Sequence, residues 1–150
     1  MRERIAESID DAMRAKDQMR LCTLRLMAAA LKDQDIAKRA HGDGARLDDA
    51  EIRALLVKML RQREDSARAY EEAGRMDMAE RERAEQGVIR EFLPKPMSEA
   101  EIGAAIDRAI RDTNASSIRD MGKVMGALKA AHAGRMDFGV VGTRVKTALG

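Results

Sequence analysis

The stretch Asp120-Met121-Gly122-Lys123-Val124-Met125-Gly126 is the part of the sequence whose residue types and spacing point most directly to a binding role. Gly122 and Gly126 lie four residues apart in a segment that otherwise predicts a helix, where each glycine costs about 1 kcal/mol relative to alanine. Two explanations would offset that cost. A neighbouring helix could pack closely against the glycines, or the backbone could stay bare for a partner such as RNA, with Lys123 beside it. The residues alone favour packing.

Positive charge is concentrated around these glycines. Residues 121–150 carry five basic side chains and one acidic side chain. A basic surface binds a phosphate backbone because neutralised phosphates release their counterions. Phe138 is the one aromatic residue there that could stack on a base, so shape and phosphate contacts are favoured over base readout. An ordinary solvated surface explains the same charges equally well. The basic residues are Lys123, Lys129, Arg135, Arg144 and Lys146.

No motif for catalysis, metal binding or cofactor binding stands out elsewhere. Glu80, Glu82 and Glu85 each have an arginine within helical reach, which predicts a solvated, salt-bridged face and not an acid/base pair. His41 and His132 lie near glycines, as expected at helix ends. Cys22 has no sequence sign of a base, and nucleotide-binding loops and zinc motifs are absent. We expect no catalytic residue, no metal and no cofactor.

The composition predicts an all-α fold. Hydrophobic residues make up 45% of the 150 residues but aromatic residues only 2%, so the core must be aliphatic. Strong helix formers dominate, and the only prolines are Pro94 and Pro96. The charged opening and the lack of a long apolar run predict no signal peptide and no membrane span, so we expect a cytoplasmic protein.

Apolar periodicity predicts four helices before the prolines. The first ends near Lys16, and Asp17 caps the second, whose stripe of Leu21, Leu24, Ala28 and Leu31 faces inward. We expect Arg25, Lys32 and Asp35 to face outward. The loop 41–44 ends the second helix, and Asp48 and Glu51 form a capping box for the third.

The fourth helix is bounded by glycine and proline signals. Gly74 is expected to end the third helix, and Asp77 to start the fourth. The segment from Pro94 to Pro96 then stops it. Four antiparallel helices with short loops suggest a small bundle.

Three further helices are predicted after the prolines. Ser98 and Glu101 form a second capping box, and Thr113-Asn114 ends that helix. Ser116 or Ser117 caps the sixth helix, Gly134 ends it, and Asp137 caps the seventh. We therefore predict a four-helix N-terminal domain, 1–94, and a three-helix C-terminal domain, 97–150. Residues 1–94 carry 19 basic and 20 acidic side chains, whereas residues 95–150 carry 9 and 6.

Several segments along the sequence follow the pattern of one known family. In the C-terminal third these segments are Lys123 to Gly126, Gly134-Arg135-Met136-Asp137 and Val145-Lys146-Thr147-Ala148-Leu149. The upstream segments are Ala12 to Asp17, Arg20-Leu21, Thr23-Leu24-Arg25, Arg61 to Ser66, Ala73-Gly74-Arg75 and Phe92-Leu93-Pro94. In this order, over essentially the whole chain, they resemble the YqeY family. Phe92 and Phe138 depart mildly from the family pattern, which usually has Tyr and a small residue there.

The resemblance implies a helical N-terminal domain and a three-helix C-terminal domain. In the aspartyl/glutamyl-tRNA amidotransferase, this family's domain forms the tail of the B subunit, which helps to hold tRNA near its elbow and performs no chemistry. The amidase and the cradle domain of that enzyme have no counterpart in this sequence. A label of carbon–nitrogen ligase with glutamine as amido donor would therefore apply by association only.

Together these observations predict a non-catalytic accessory protein related to the amidotransferase tail, which binds tRNA through its C-terminal domain. The five basic residues of that domain would contact phosphates, and Gly122 and Gly126 would allow close approach. The alternative is a protein–protein module that docks a partner subunit through the N-terminal bundle or the glycine face. Salt separates the two, because a phosphate-driven complex weakens steeply and an apolar interface barely.

Overall fold

The computed structural model describes residues 1–42 and 44–150. Over these residues the chain forms seven α-helices, one short 3-10 helix and no strand, which confirms the predicted all-α class. The chain folds into two compact units, Met1–Leu93 and Pro94–Gly150. The helices are α1 Arg2–Arg14, α2 Gln18–Ala40, α3 Asp49–Glu72, α4 Met76–Arg90, α5 Glu99–Asp112, the 3-10 helix Ile118–Asp120, α6 Met121–His132 and α7 Phe138–Leu149.

Caps and breakers set the helix ends of the first unit. The Asp17 carboxylate accepts a hydrogen bond from the Arg20 backbone N–H at 3.1 Å, as predicted. Asp48 and Glu51 form the predicted capping box, with both N–O distances at 2.8 Å. Gly74 ends α3 with a φ of 73°, a conformation that glycine adopts without strain. The predicted loop 41–44 follows α2, although Asp43 lies outside the described residues.

The predicted start of the fourth helix is wrong by two positions. Arg75, not Asp77, occupies the N-cap of α4, and its side chain makes no cap hydrogen bond. The Arg75 N–H donates to the Tyr70 carbonyl at the end of α3. The Arg75 carbonyl accepts a hydrogen bond from the Ala79 N–H, the first of α4. One residue thus ends one helix and opens the next, and Asp77 lies in the first turn, where the helix dipole favours an acid.

The first unit is built on the hairpin of α3 and α4, against which α2 and then α1 pack. Its core is aliphatic, as the composition predicts, with Phe92 as the only aromatic residue in the buried cluster of the described chain. The largest of its fully buried apolar side chains are Ile5, Leu24, Met27, Ile52, Leu56 and Ile89.

Asp35 is predicted to face outward but is buried, with 7% of its surface exposed. It continues the inward stripe of α2 one turn after Leu31, and its carboxylate has a partner there. Arg2 donates two hydrogen bonds to it, at 2.8 and 2.7 Å. A buried carboxylate is tolerated when it is paired in this way.

The carboxylates of α4 also differ from the predicted solvated face. The Glu85 side chain is 12% exposed and pairs with Arg63 of α3 at 3.1 Å. Arg83 and Arg90 pair with Glu71 and Glu64 of α3, which joins the two helices. Within α4 itself, Arg81 lies 3.8 Å from Glu85, the predicted type of ion pair. Tertiary packing therefore decides the partners of these side chains.

The second unit packs three helices around a second aliphatic core. Ser98 and Glu101 form the predicted capping box of α5, and Asn114 follows α5 with a φ of 53°. Ser117 caps the 3-10 helix that leads into α6, so the predicted serine cap acts one element earlier than expected. Gly134 follows α6 with a φ of 82°, and Asp137 caps α7 through the Gly139 N–H at 2.9 Å. The buried side chains are Ile106, Ala109, Val124, Leu128, Met136, Val141 and Val145.

Candidate nucleic-acid interface

Helix α6 has one face in the core and one face in solvent. Val124 and Leu128 are 0% and 1% exposed and anchor the inner face. On the outer face, at the helical spacing of 3.6 residues per turn, five exposed residues share an arc of about 120°. Small residues occupy the middle of this arc, and a lysine lies at each edge. In order around the helix, they are Lys129, Gly122, Gly126, Ala130 and Lys123. We call this arc the α6 face.

The two glycines of the α6 face are not packed against any other element of the described chain. A Cβ atom added at Gly122 or at Gly126 would have no neighbour within 4 Å. Close helix packing, which the residues alone favour, is therefore wrong as an explanation for this pair. The cost of two helical glycines, about 1 kcal/mol each, is not offset by any contact within the described residues.

A glycine that does pack against another helix is Gly142 of α7. It is buried, and a Cβ atom there would lie 3.7 Å from the terminal methyl groups of both Met121 and Met125. Sequence reasoning missed it because a single glycine among valines gives no special pattern. Gly122 and Gly126, whose spacing is conspicuous in the sequence, instead face open space.

The lysines of the α6 face are exposed and form no ion pair with any described residue. The nearest acid in sequence is Asp120, whose pKa is lowered first by hydrogen bonds from the backbone N–H groups of Ser116 and Ser117 and to a smaller extent by the charge of Lys123. The Asp120 carboxylate is thus already hydrogen-bonded to the backbone that precedes α6. Lys123 and Lys129 remain available to an external anion.

Arg135 and Arg144 occupy a different environment. Arg144 lies 2.9 Å from a carboxylate oxygen of Glu99, and Arg135 lies 3.5 Å from one of Glu101. Arg135 also donates from Nε to the Lys95 carbonyl at 3.1 Å. Both arginines therefore hold the first turn of α5, next to acids that repel phosphate.

Lys146 lies on the exposed side of α7 and forms no ion pair with a described residue. Sequence reasoning missed Arg119, an exposed cation in the 3-10 helix four residues before Lys123. That spacing places it one turn from Lys123, a signal that was present in the sequence. The predicted basic set thus separates into unpaired cations and cations paired on α5.

The match to a known protein family agrees with this architecture. The family model of Yqey-like proteins (YqeY) matches residues 2–149, so the chain belongs to the YqeY family. This confirms the resemblance. Among the described residues, no helix combines the length and the apolar character needed to cross a membrane.

Two fungal proteins are among the curated relatives that the chain matches. It is 30% identical over 115 residues to "Altered inheritance of mitochondria protein 41, mitochondrial" of Lachancea thermotolerans, covering 75% of this chain and 59% of that protein. To the protein of the same name from Clavispora lusitaniae it is 34% identical over 82 residues, covering 55% and 45%. The chain thus spans about half the length of these relatives. Their names assign those proteins to mitochondria, so a cytoplasmic location for this chain stays a prediction.

Proposed function

We propose that this YqeY-family protein is a non-catalytic accessory protein that binds tRNA through the α6 face. The observation that carries the proposal is the bare, exposed glycine pair between two unpaired lysines. Nothing within the described chain accounts for the pair, and a bare helix surface admits a bulky phosphate–sugar backbone to close range. The lysines at the two edges then neutralise phosphates, and each neutralised phosphate releases counterions.

Shape and phosphate contacts fit this surface better than base readout does. The α6 face carries no aromatic ring and no amide side chain among its five residues, so it offers neither stacking nor hydrogen bonds to base edges. Folded RNA is recognised chiefly by its shape, its phosphates and its 2′-hydroxyl groups. We therefore expect tRNA to bind more tightly than duplex DNA of similar charge, with little dependence on sequence.

The test is a salt series of tRNA binding with charge-matched variants. Reversal of both lysines in Lys123→Glu/Lys129→Glu is expected to weaken binding and to lower the salt slope by about one per lost phosphate contact. The control is Lys32→Glu/Lys58→Glu, which changes the net charge equally at exposed lysines of the first unit. Equal weakening by both variants would mean that binding follows net charge only and would contradict the site.

Two further outcomes bear on the function itself. If the wild-type protein does not bind tRNA at low salt, the tRNA proposal fails. The alternative, a protein–protein module that docks a partner subunit, is then favoured. If it binds duplex DNA as tightly as tRNA at every salt concentration, recognition of RNA shape is contradicted.

A further inference from the structure

A groove of about 350 Å³ lies in the first unit where α2, α3 and α4 meet, remote in sequence from the α6 face. Its apolar walls are Leu26 of α2 and Met78 of α4. Leu26 is 45% exposed, although it is a large aliphatic residue. The polar side is formed by Gln62, Arg63, Ser66, Arg81, Glu82 and Glu85. The volume falls within the range of small-molecule sites, which combine apolar walls with a few convergent polar groups.

One of the two carboxylates in the groove is already neutralised. Arg63 donates from Nε to Glu85 at 3.1 Å, and both side chains are nearly buried, at 13% and 12% exposure. Arg81 lies 3.8 Å from the other oxygen of Glu85. Arg63 also donates to the Met59 carbonyl at 3.4 Å. Both guanidinium groups of the groove are therefore directed at the same carboxylate.

Glu82 forms no hydrogen bond or ion pair with any described residue. Burial raises its pKa first and the charge of Glu85 raises it further, while the charges of Arg63 and Arg81 act in the opposite sense. The carboxylate has thus lost part of its hydration and gained no direct partner in return. A half-buried anion of this kind is stabilised by an incoming cation.

We propose that this groove binds an organic cation, an ammonium or guanidinium group on a short aliphatic chain, with the charged group on Glu82. The aliphatic chain lies between Leu26 and Met78, which covers the exposed part of Leu26. The Ser66 hydroxyl, which also lines the groove, offers a neutral acceptor to a second N–H. An anion would meet Glu82 directly, because both arginines are engaged with Glu85. The same chemistry is carried by a free amine and by a lysine side chain of a partner.

The experiment uses the full-length protein and follows backbone amides by NMR during titration with hexylamine. The matched ligands are hexan-1-ol, which has the same chain without the charge, and N-acetyl-lysine N-methylamide, which presents a lysine side chain. We expect hexylamine to shift amides around Leu26, Met78 and Glu82, and hexan-1-ol to bind on the order of tenfold more weakly or not at all. Comparable binding of the lysine derivative would assign the site to a partner's side chain, and binding of hexylamine alone to a free amine.

Two variants complete the test. Glu82→Gln is expected to lower hexylamine affinity on the order of tenfold. It removes a charge without an internal partner, so it should fold as well as the wild type, which circular dichroism checks. Glu80→Gln, at an exposed site two residues away on α4, should leave the affinity unchanged. Equal binding of hexylamine and hexan-1-ol, or unaltered affinity in Glu82→Gln, would overturn the proposal.

Discussion

The guanidinium group of Arg2 and the carboxylate of Asp35 form a two-point ion pair, with N–O distances of 2.7 and 2.8 Å, between the first turn of α1 and the C-terminal half of α2. The same pair reaches the segment before α3. Asp35 accepts the Leu47 N–H at 2.9 Å, and Arg2 donates to the Leu47 carbonyl at 3.1 Å. Three parts of the first unit are therefore joined by one buried carboxylate.

Removal of this charge should destabilise the first unit. Asp35→Asn keeps the shape but loses the charge, so Arg2 and the Leu47 N–H lose a strong acceptor. We expect the free energy of unfolding to fall by about 2 kcal/mol, below the full cost of breaking a buried pair because Arg2 is 24% exposed. This change in the free energy of unfolding is measured by urea denaturation, monitored through the fluorescence of Tyr70, the only tyrosine in the sequence.

The control for that experiment is Asp33→Asn, an exposed position two residues earlier on α2. A surface substitution of this kind should stay within about 0.5 kcal/mol of the wild type. If Asp33→Asn and Asp35→Asn were equally stable, the Arg2 pair would contribute nothing to the fold.

The same ion pair predicts a pH dependence of stability. The hydrogen bonds from Arg2, followed by that from the Leu47 N–H, outweigh burial and lower the pKa of Asp35 from 3.8 to about 2. The unfolded chain therefore binds a proton before the folded one does. The contribution of Asp35, about 2 kcal/mol, is complete above its ordinary pKa and is lost as the pH falls toward 2. The stability difference between wild type and Asp35→Asn should shrink over that window in urea titrations. A constant difference from pH 5 to pH 2 would contradict the lowered pKa.

Local signals allowed much of the fold to be predicted. The caps formed by Asp17, Asp48, Ser98 and Asp137 depend on side-chain oxygens two or three residues from the N–H groups that they satisfy, so the sequence contains the whole interaction. The same holds for Gly74, whose positive φ needs no tertiary partner. Asp77 failed as a cap because the turn after Gly74 is too short to leave it outside the helix.

Long-range partners could not be predicted in this way. The spacing of Asp35 from Leu31 places it on the inward stripe, but its residue type predicts exposure, and the partner that resolves the conflict is 33 residues away. Glu85 was assigned to neighbouring arginines of α4, while its buried partner Arg63 lies on α3. Periodicity gives the direction of a side chain, whereas the identity of its partner depends on tertiary packing.

The candidate site was predicted by composition more than by geometry. All five basic residues were identified from the charge split, yet only the structure separates the lysines of the α6 face from the arginines paired on α5. The glycine pair was noticed for its spacing. The packing explanation failed because helix α7 contacts α6 at Met121 and Met125, which lie outside the arc that contains the glycines.

The glycine pair gives a prediction in which stability and binding change in opposite directions. In Gly122→Ala/Gly126→Ala, both methyl groups enter open space, so we expect the free energy of unfolding of the second unit to rise. The gain should be about 1 kcal/mol at Gly126, inside the helix, and smaller at Gly122, in its first turn. Amide exchange of α6 measures it. If the bare surface admits tRNA, affinity for tRNA should fall in the same variant. Increased stability with unchanged tRNA affinity would leave the glycines without a role in binding.

The two classes of basic residue give the sharpest test of the site. Lys123→Ala/Lys129→Ala and Arg135→Ala/Arg144→Ala each remove two positive charges, so non-specific attraction falls equally. We expect the lysine variant to lower the salt slope of tRNA binding by about two, one per phosphate contact. The arginine variant should change the slope less, because Glu99 and Glu101 lie beside those cations and repel phosphate.

The arginine variant should instead lose stability, by about 1 kcal/mol, since the Arg135 hydrogen bond to the Lys95 carbonyl is removed. Salt titration and thermal unfolding of the two variants separate these effects, and an equal loss of slope in both would place phosphate on the arginines as well.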